Sequence, residues 1–283
     1  MSWYNKYLSV YEKPYSEFPQ EAFETVKSNL KKIQSDTPIA SVVVIALNEE
    51  KHLLGCLWSL SESKCKYPIE IIGVDNNSYD KTAEIFQKID LPYYTEVNRS
   101  CGYARNKGLE HAKGKYYICI DSDTMYPETY VERVIEELEK KDVVAVSCTW
   151  GYIPGKGYPR FKMWIYEFVR DLHLWLQSFK RPELSVRGLV FSYHTKLGRE
   201  VGYRVRIIRG EDGAMAMGLK KYGKIRFVRT SKVKAFTCTA RLSEDGGLAD
   251  AFKRRVTKAL RGIGRYFTKR EVYKDQDSNI IKD

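Results

Sequence analysis

The six cysteines of this chain include no Cys-x-x-Cys pair, which argues against a zinc ribbon and against a thioredoxin-like redox centre. Several of them, Cys119 and Cys148 among them, fall inside predicted strands and read as reduced core residues, with no disulfide and no zinc expected. Long apolar runs are lacking too. The longest, Val42 to Leu47, is far short of the roughly 20 residues that cross a bilayer. The first residues, with Lys6, Glu12 and Lys13 among tyrosines, have no signal-peptide core, so the expected location is the cytoplasm. No Gly-x-Gly-x-x-Gly and no P-loop lysine motif follows a predicted strand, which disfavours dinucleotide binding and P-loop chemistry.

What is present is 283 residues, 43% hydrophobic and 30% charged, with a formal net charge of +12. That is enough chain for one large domain with extensions. The positive balance implies an anionic partner: nucleic acid, anionic lipid or a phosphorylated substrate. Residues 1–37 form an N-terminal arm, with a helical apolar spacing at Phe23, Val26, Leu30 and Ile33 before Asp36-Thr37-Pro38. From Ile39 onward strands and helices alternate. Strands are predicted at Ile39–Leu47, Ile69–Asp75, Tyr93–Val97 and Val143–Thr149, with helices at Glu49–Leu60, Asp80–Lys88, Tyr103–Ala112 and Pro127–Lys140. Such alternation builds an α/β fold with a Rossmann-like, mostly parallel central sheet flanked by helices.

The strand Lys115 to Ile120 runs straight into Asp121-Ser122-Asp123. An apolar run of this kind fits the interior of a parallel sheet, and its abrupt polar end marks the edge where α/β proteins place ligands. In an extended segment residues i and i+2 point the same way, so Asp121 and Asp123 can share one hard cation that also bridges to a diphosphate. Two neighbouring strand ends are polar as well: Asn48-Glu49 and Asp75-Asn76-Asn77-Ser78. A carboxylate there can accept from a nucleobase imide or a ribose hydroxyl, and Asp75 can equally close an Asx-turn. Further along, Arg209-Gly210-Glu211-Asp212-Gly213 sets an acid pair between glycines ahead of a helix-prone run. A capping carboxylate and a general base are compatible readings of it.

Beyond Thr149 the alternation stops. Gly151 to Pro159 reads as an aromatic lid, and Phe161 to Phe179 as an amphipathic helix with Trp164, Phe168, Leu172, Trp175, Leu176 and Phe179 on one face. That face either packs on the core or meets a membrane or an acceptor. In the C-terminal tail, Phe252, Val256, Leu260, Ile263 and Phe267 recur on one helical face among Lys253, Arg254, Arg255, Lys258 and Arg261. This basic amphipathic segment, residues 241–283, is expected to lie against an anionic membrane surface.

Ile45-Ala46-Leu47-Asn48-Glu49-Glu50, then Val74-Asp75-Asn76-Asn77-Ser78, then Gly102-Tyr103-Ala104-Arg105-Asn106 leading to Asp121-Ser122-Asp123, then Gly210-Glu211-Asp212 resemble, in that order, the family 2 glycosyltransferases of GT-A fold. The resemblance covers roughly residues 39 to 240. It implies a GT-A domain over residues 38–240, with a nucleotide-sugar half to residue 150 and an acceptor half from 151. It further implies a metal-dependent, inverting transfer of the hexosyltransferase type. The donor would be a nucleotide diphosphate sugar, a UDP-sugar ahead of a GDP-sugar, with Mg2+ or Mn2+. By the same resemblance Glu49, Asp75 and Arg105 contact the donor, Asp121 and Asp123 the metal and diphosphate, and Asp212 is the catalytic base. The family often has Pro and Tyr at the first strand end, where this chain has Ile45 and Leu47. A saccharide or glycolipid acceptor, a role in cell-surface glycan assembly and peripheral attachment to the inner membrane face complete the expectation.

The alternative is a metal-dependent sugar nucleotidyltransferase, which would want a glycine- and lysine-rich loop where Asn48-Glu49-Glu50 stands. A nucleic-acid-binding protein would show basic and aromatic sheet edges, whereas these are acidic, so no nucleic-acid partner is expected.

Overall fold

The computed structural model describes residues 2–155, 160–207 and 210–239. Its centre is strand β1 (Ala40–Ala46), a Val- and Ile-rich run buried along its whole length. β-branched side chains suit a pleated surface covered on both faces. β1 pairs in parallel with β2 (Ile69–Asp75) on one side, and β2 in turn pairs with β3 (Tyr93–Thr95). On its other side β1 pairs in parallel with β4 (Tyr116–Asp121).

After β4 come a two-residue strand β5 (Thr124–Met125), then β6 (Val143–Cys148), β7 (Trp150–Tyr152), β8 (Phe191–His194), β9 (Lys224–Val228) and β10 (Ala235–Thr237). The main sheet has seven strands in the order β3-β2-β1-β4-β8-β6-β9. Within it β8 runs antiparallel to both β4 and β6. β5, β10 and β7 form a second, three-stranded sheet at its edge. The fold is therefore α/β with a largely parallel core, as the alternation implies, but β4 and β6 are not neighbours. The late strand β8 is inserted between them, pairing Ser147 with Phe191 and Tyr116 with His194, partners too far apart in the chain for local periodicity to reveal.

The helices are α1 (Gln20–Ile33), α2 (Leu53–Ser61), α3 (Thr82–Lys88), α4 (Cys101–His111), α5 (Tyr130–Leu138), α6 (Arg160–Ser178), α7 (Thr195–Val201) and α8 (Glu211–Leu219). α1 turns Phe23, Val26 and Leu30 into the main core, so this segment of the arm packs on the domain. α4 is capped by Ser100, whose hydroxyl oxygen accepts the Tyr103 N–H at 3.2 Å.

Two expectations need correction. α2 starts at Leu53 and not at Glu49. The backbone N–H groups of Asn48, Glu49 and Glu50 are taken by the side chains of Ser78, Thr82 and Asp80, which holds this stretch as a loop. The predicted lid is in part a strand: Trp150–Tyr152 is β7, paired with β10, while residues 156–159 lie outside the described residues. The long helix α6 keeps its predicted place, but its aromatic face is turned outward. Buried inside are Met163, Tyr166, Glu167, Arg170 and Leu174. The tail 241–283 lies outside the described residues. None of the six cysteines is in a disulfide.

Candidate active site at the C-terminal sheet edge

The register of the parallel strands gathers the predicted acids. Ala46 of β1 is opposite Asp75 and Ile45 is opposite Asp121, so the two carboxylates stand at one sheet edge, two strand spacings or roughly 10 Å apart. The chain leaves β1 for β2 on one side and returns to β4 on the other, which makes this edge the switch point of the sheet.

Asn48 and Asn77 hold the turns beyond β1 and β2 in the left-handed region, at φ 56° and 61°, a conformation that asparagine tolerates better than most residues. Asp75 is buried, and its two oxygens lie 3.3 and 3.4 Å from the Ser78 N–H three residues on, which fastens the start of the loop after β2 without the expected Asx-turn. The Ser78 hydroxyl in turn accepts the Asn48 N–H at 2.9 Å, so the two loops are stitched together. Glu49 is paired with His52 Nδ1 at 2.7 Å. Burial raises the Glu49 pKa, with His52 acting against the rise. Burial lowers that of His52, but Glu49 outweighs it and the imidazole ends up more basic than usual.

Asp121 and Asp123 do not share an extended strand. β4 ends at Asp121, Ser122 and Asp123 form a turn, and β5 begins at Thr124. Asp123 is held from several sides: Oδ1 accepts the Thr124 hydroxyl at 2.9 Å and Oδ2 the Cys238 thiol at 3.4 Å. Its carbonyl accepts the Tyr11 hydroxyl at 2.6 Å. Asp121 Oδ1 receives Arg105 Nη2 at 2.7 Å.

Arg105 is only 2% exposed, and its Nε lies 3.4 Å from Asp212 Oδ1. One guanidinium thus bridges the strand-end acid and the acid of α8, in surroundings where an unpaired charge would be costly. Asp212 sits in the first turn of α8, entered through Gly210 at φ 106°, a backbone conformation that favours glycine. Helix N-terminal peptide dipoles also favour a carboxylate at that place. The Gly188 backbone, close to the Asp212 carboxylate, favours its charged form. A Cβ at Gly188 would collide with the Arg105 guanidinium and stand 2.6 Å from Asp212 Oδ2. Asp212 Oδ1 is left without a hydrogen-bond partner among the described residues. Burial raises the Asp212 pKa, and Arg105 opposes the rise. Its neighbour Glu211 is pushed up to about 7, first by burial and then by the charge of Asp212.

All six predicted residues therefore lie at or beside one edge: Asp121, Arg105 and Asp212 in direct contact, Asp123 one turn away, Asp75 at the end of β2 and Glu49 on the loop beyond β1. Sequence reasoning missed Tyr11, His52, Gly188 and Cys238. Tyr11 and Cys238 lie more than a hundred residues from Asp123 in the chain, and no local pattern singles them out. For a divalent cation the fit is to Asp121 and Asp123. No group of three His, Cys, Asp or Glu side chains that could hold a metal occurs among the described residues. Two carboxylates at an open edge suit a small hard cation that takes its other oxygens from water and diphosphate, and the Asp121 side chain is still 15% exposed.

This sheet order, with acids at the switch point and on the first turn of α8, defines a GT-A glycosyltransferase domain. The family model for glycosyl transferase family 2 matches residues 41–209, more than half of the chain, and the chain belongs to that family. Among curated relatives it is 32% identical over 129 residues to an uncharacterized glycosyltransferase, YfnE, of Bacillus subtilis, covering 44% of this chain and 33% of the relative. It is 34% identical over 105 residues to the putative glycosyltransferase EpsH of the same organism, covering 35% and 30%. These matches span about a third of the relatives' length. Solved structures of the same fold include TarS of S. aureus with UDP-GlcNAc, at TM-score 0.53 and 20% identity, covering 70% of this chain and 58% of that one. Glucosyl-3-phosphoglycerate synthase of Mycobacterium tuberculosis, with Mn2+, UDP-glucose and phosphoglyceric acid, aligns at TM-score 0.55 and 19% identity over 89% and 85%.

Proposed function

We propose that this glycosyltransferase moves a sugar, with inversion, from a nucleotide diphosphate donor to an acceptor hydroxyl. The observation that carries the reading is the Asp121–Arg105–Asp212 bridge, which sets a partly unpartnered carboxylate oxygen beside the donor-side acids. Asp212 Oδ1 takes the proton of the acceptor hydroxyl, and that oxygen attacks the anomeric carbon. The bond from this carbon to the diphosphate oxygen breaks, its electron pair leaving with the nucleoside diphosphate. Arg105 keeps Asp212 ionised and correctly aimed. Asp75 at the end of β2 and Glu49 on the loop beyond β1 meet base and ribose, and Asp121 and Asp123 would hold Mg2+ or Mn2+. Such an ion, when bound, offsets charge on the leaving diphosphate.

A UDP-sugar is the donor put first. Support comes from the donors bound by TarS and by the mycobacterial synthase, although a fold neighbour from Pyrobaculum calidifontis is seen with GDP-Man and Mn2+. The acceptor class is a saccharide or glycolipid in cell-surface glycan assembly, reached from the cytoplasmic face of an anionic membrane. Among the described residues no helix is long and apolar enough to cross a membrane.

The test is incubation with a panel of UDP- and GDP-sugars, scoring released nucleotide with and without excess chelator. Release from one nucleotide class, abolished by chelation, is the expected result. Full activity in chelator would remove the metal from the reading, and formation of nucleoside triphosphate and sugar 1-phosphate, seen only when pyrophosphate is added, would favour a nucleotidyltransferase.

A further inference from the structure

Helix α6 reverses the usual arrangement of an amphipathic helix. Toward the protein it presents Glu167 and Arg170. Glu167 accepts the Tyr152 N–H at 2.8 Å and pairs with Lys234 at 2.6 Å. Arg170 lies 4.1 Å over the Trp150 ring and donates to the Trp150 carbonyl. Toward the outside stand Phe161, Trp164, Phe168, Leu172, Leu176 and Phe179, with Phe161 70%, Trp164 60% and Phe179 68% exposed. Phe161, Trp164 and Phe168 stack in sequence at 6.4 and 5.8 Å, so the row is ordered before anything touches it.

The outward orientation is not a loose helix caught on the wrong side. Rolling α6 about its axis to bury the row would strand the Tyr152 N–H and break the Glu167–Lys234 pair and the Arg170 contacts with Trp150, leaving buried polar groups unsatisfied. Five or more half-exposed large side chains make a patch on the order of 500 Å². A patch of this size is at the upper end of what a monomer exposes, and such patches often serve a binding role.

We propose that the outward face of α6 docks on an anionic lipid bilayer. The argument for this occupant is charge. Exposed Arg160 and Lys162 stand at the start of the row, and Arg229 lies 5.0 Å over the Trp175 ring toward its end. Both acids of α6 are engaged with cations of the protein, Glu167 with Lys234 and Asp171 with Arg170. An aromatic row rimmed by cations matches the boundary between acyl chains and phosphate headgroups. A second copy fits less well, because two chains of net charge +12 repel at close approach. So does the tail, which has no acid between Ala251 and Arg270 and would bring more cations to a cationic rim. The proposal deepens the membrane placement given above by naming the contact surface, and it does not depend on the transfer chemistry.

The experiment is sedimentation of the full chain with vesicles of phosphatidylcholine alone or mixed with phosphatidylglycerol, at low salt and without donor. Binding to the mixed vesicles only is expected. Combining Phe161→Ser, Trp164→Ser and Phe168→Ser should weaken it about a hundredfold, and Trp164→Glu alone should weaken it by repulsion if the triple variant fails to fold. Deletion of residues 248–283 should leave binding that still responds to Trp164→Glu. Absence of vesicle binding, or binding untouched by the α6 substitutions, overturns the proposal. So does a wild-type dimer that Trp164→Glu makes monomeric without any vesicle binding, which would assign the face to a second copy. Donor turnover on a soluble acceptor, measured in parallel, separates failure here from failure of the functional reading.

Discussion

Arg105 and Arg170 are both only 2% exposed, both are carried on helices, and both point inward. What they hold differs. Arg170 pairs with its sequence neighbour Asp171 and with the backbone of Trp150, and so fixes one helix to one strand. Arg105 joins Asp121 and Asp212, two acids from distant regions of the chain that serve the proposed reaction. A buried guanidinium can thus be a clamp for architecture or a counter-charge for chemistry, and only the identity of its partners tells which.

The largest effect expected from pressing on this difference belongs to Asp212→Asn. It keeps the shape beside Arg105 and removes the proton acceptor, so turnover should fall about 10²- to 10⁴-fold with donor affinity little changed. Steady-state release of nucleotide together with a donor titration checks this, and normal turnover would move the base to Glu211. Next come the two arginines themselves. Arg105→Leu leaves two facing carboxylates without a cation and should cost roughly 3–5 kcal/mol of stability along with donor binding. Arg170→Leu should lower stability by about 1–3 kcal/mol while turnover per folded molecule stays at the wild-type level. Denaturant melts beside activity measurements distinguish them, and a dead Arg170→Leu enzyme would break the contrast.

A smaller effect is pH-dependent. The folded-state pKa of Glu211 rises from 4.5 to about 7, so between those values the folded protein holds a proton that the unfolded chain has released. Stability contributed by this group is present below pH 4.5 and is lost as pH rises through the window to about 7. Glu211→Gln should flatten the wild-type decline and leave the variant more stable above pH 7 by on the order of 2 kcal/mol. Melting temperature against pH tests the sign. Smallest is Tyr11→Phe, which removes one hydrogen bond to the Asp123 carbonyl, worth about 1 kcal/mol. It should raise the metal concentration for half-maximal activity about fivefold, with the melting temperature nearly unchanged.

Much of the donor half was legible because its signals are local. The Val- and Ile-rich runs end in acids, β2 keeps the predicted bounds Ile69–Asp75, and a parallel register then forces Asp75 and Asp121 to one edge. What escaped depends on non-local satisfaction of polar groups. The loop ahead of α2 stays unwound because Ser78, Asp80 and Thr82 claim its N–H groups. β8 enters the sheet from far along the chain. On α6 the 3.6-residue period locates both faces and says nothing about which is buried, since Tyr152, Trp150 and Lys234 decide it. Arg105 could be placed near the donor by resemblance, but its hold on Asp212 depends on the long-range fold, which brings both side chains together beside Gly188.

The hydroxyl of Tyr11 reaches Asp123 across 112 positions of chain, and the thiol of Cys238 reaches the same residue from 115 positions away on the other side. Contacts of such separation form late, because the loops they close must first lose their freedom. During synthesis the β1, β2 and β4 edge can assemble while the ribosome is still adding residues, yet Asp123 receives its last support only when Cys238 has emerged. On the proposed reading, competence to bind a metal–nucleotide pair is therefore a marker of the finished fold. In a refolding reaction it should trail the recovery of helical signal, which makes donor binding a probe of maturation as much as of catalysis.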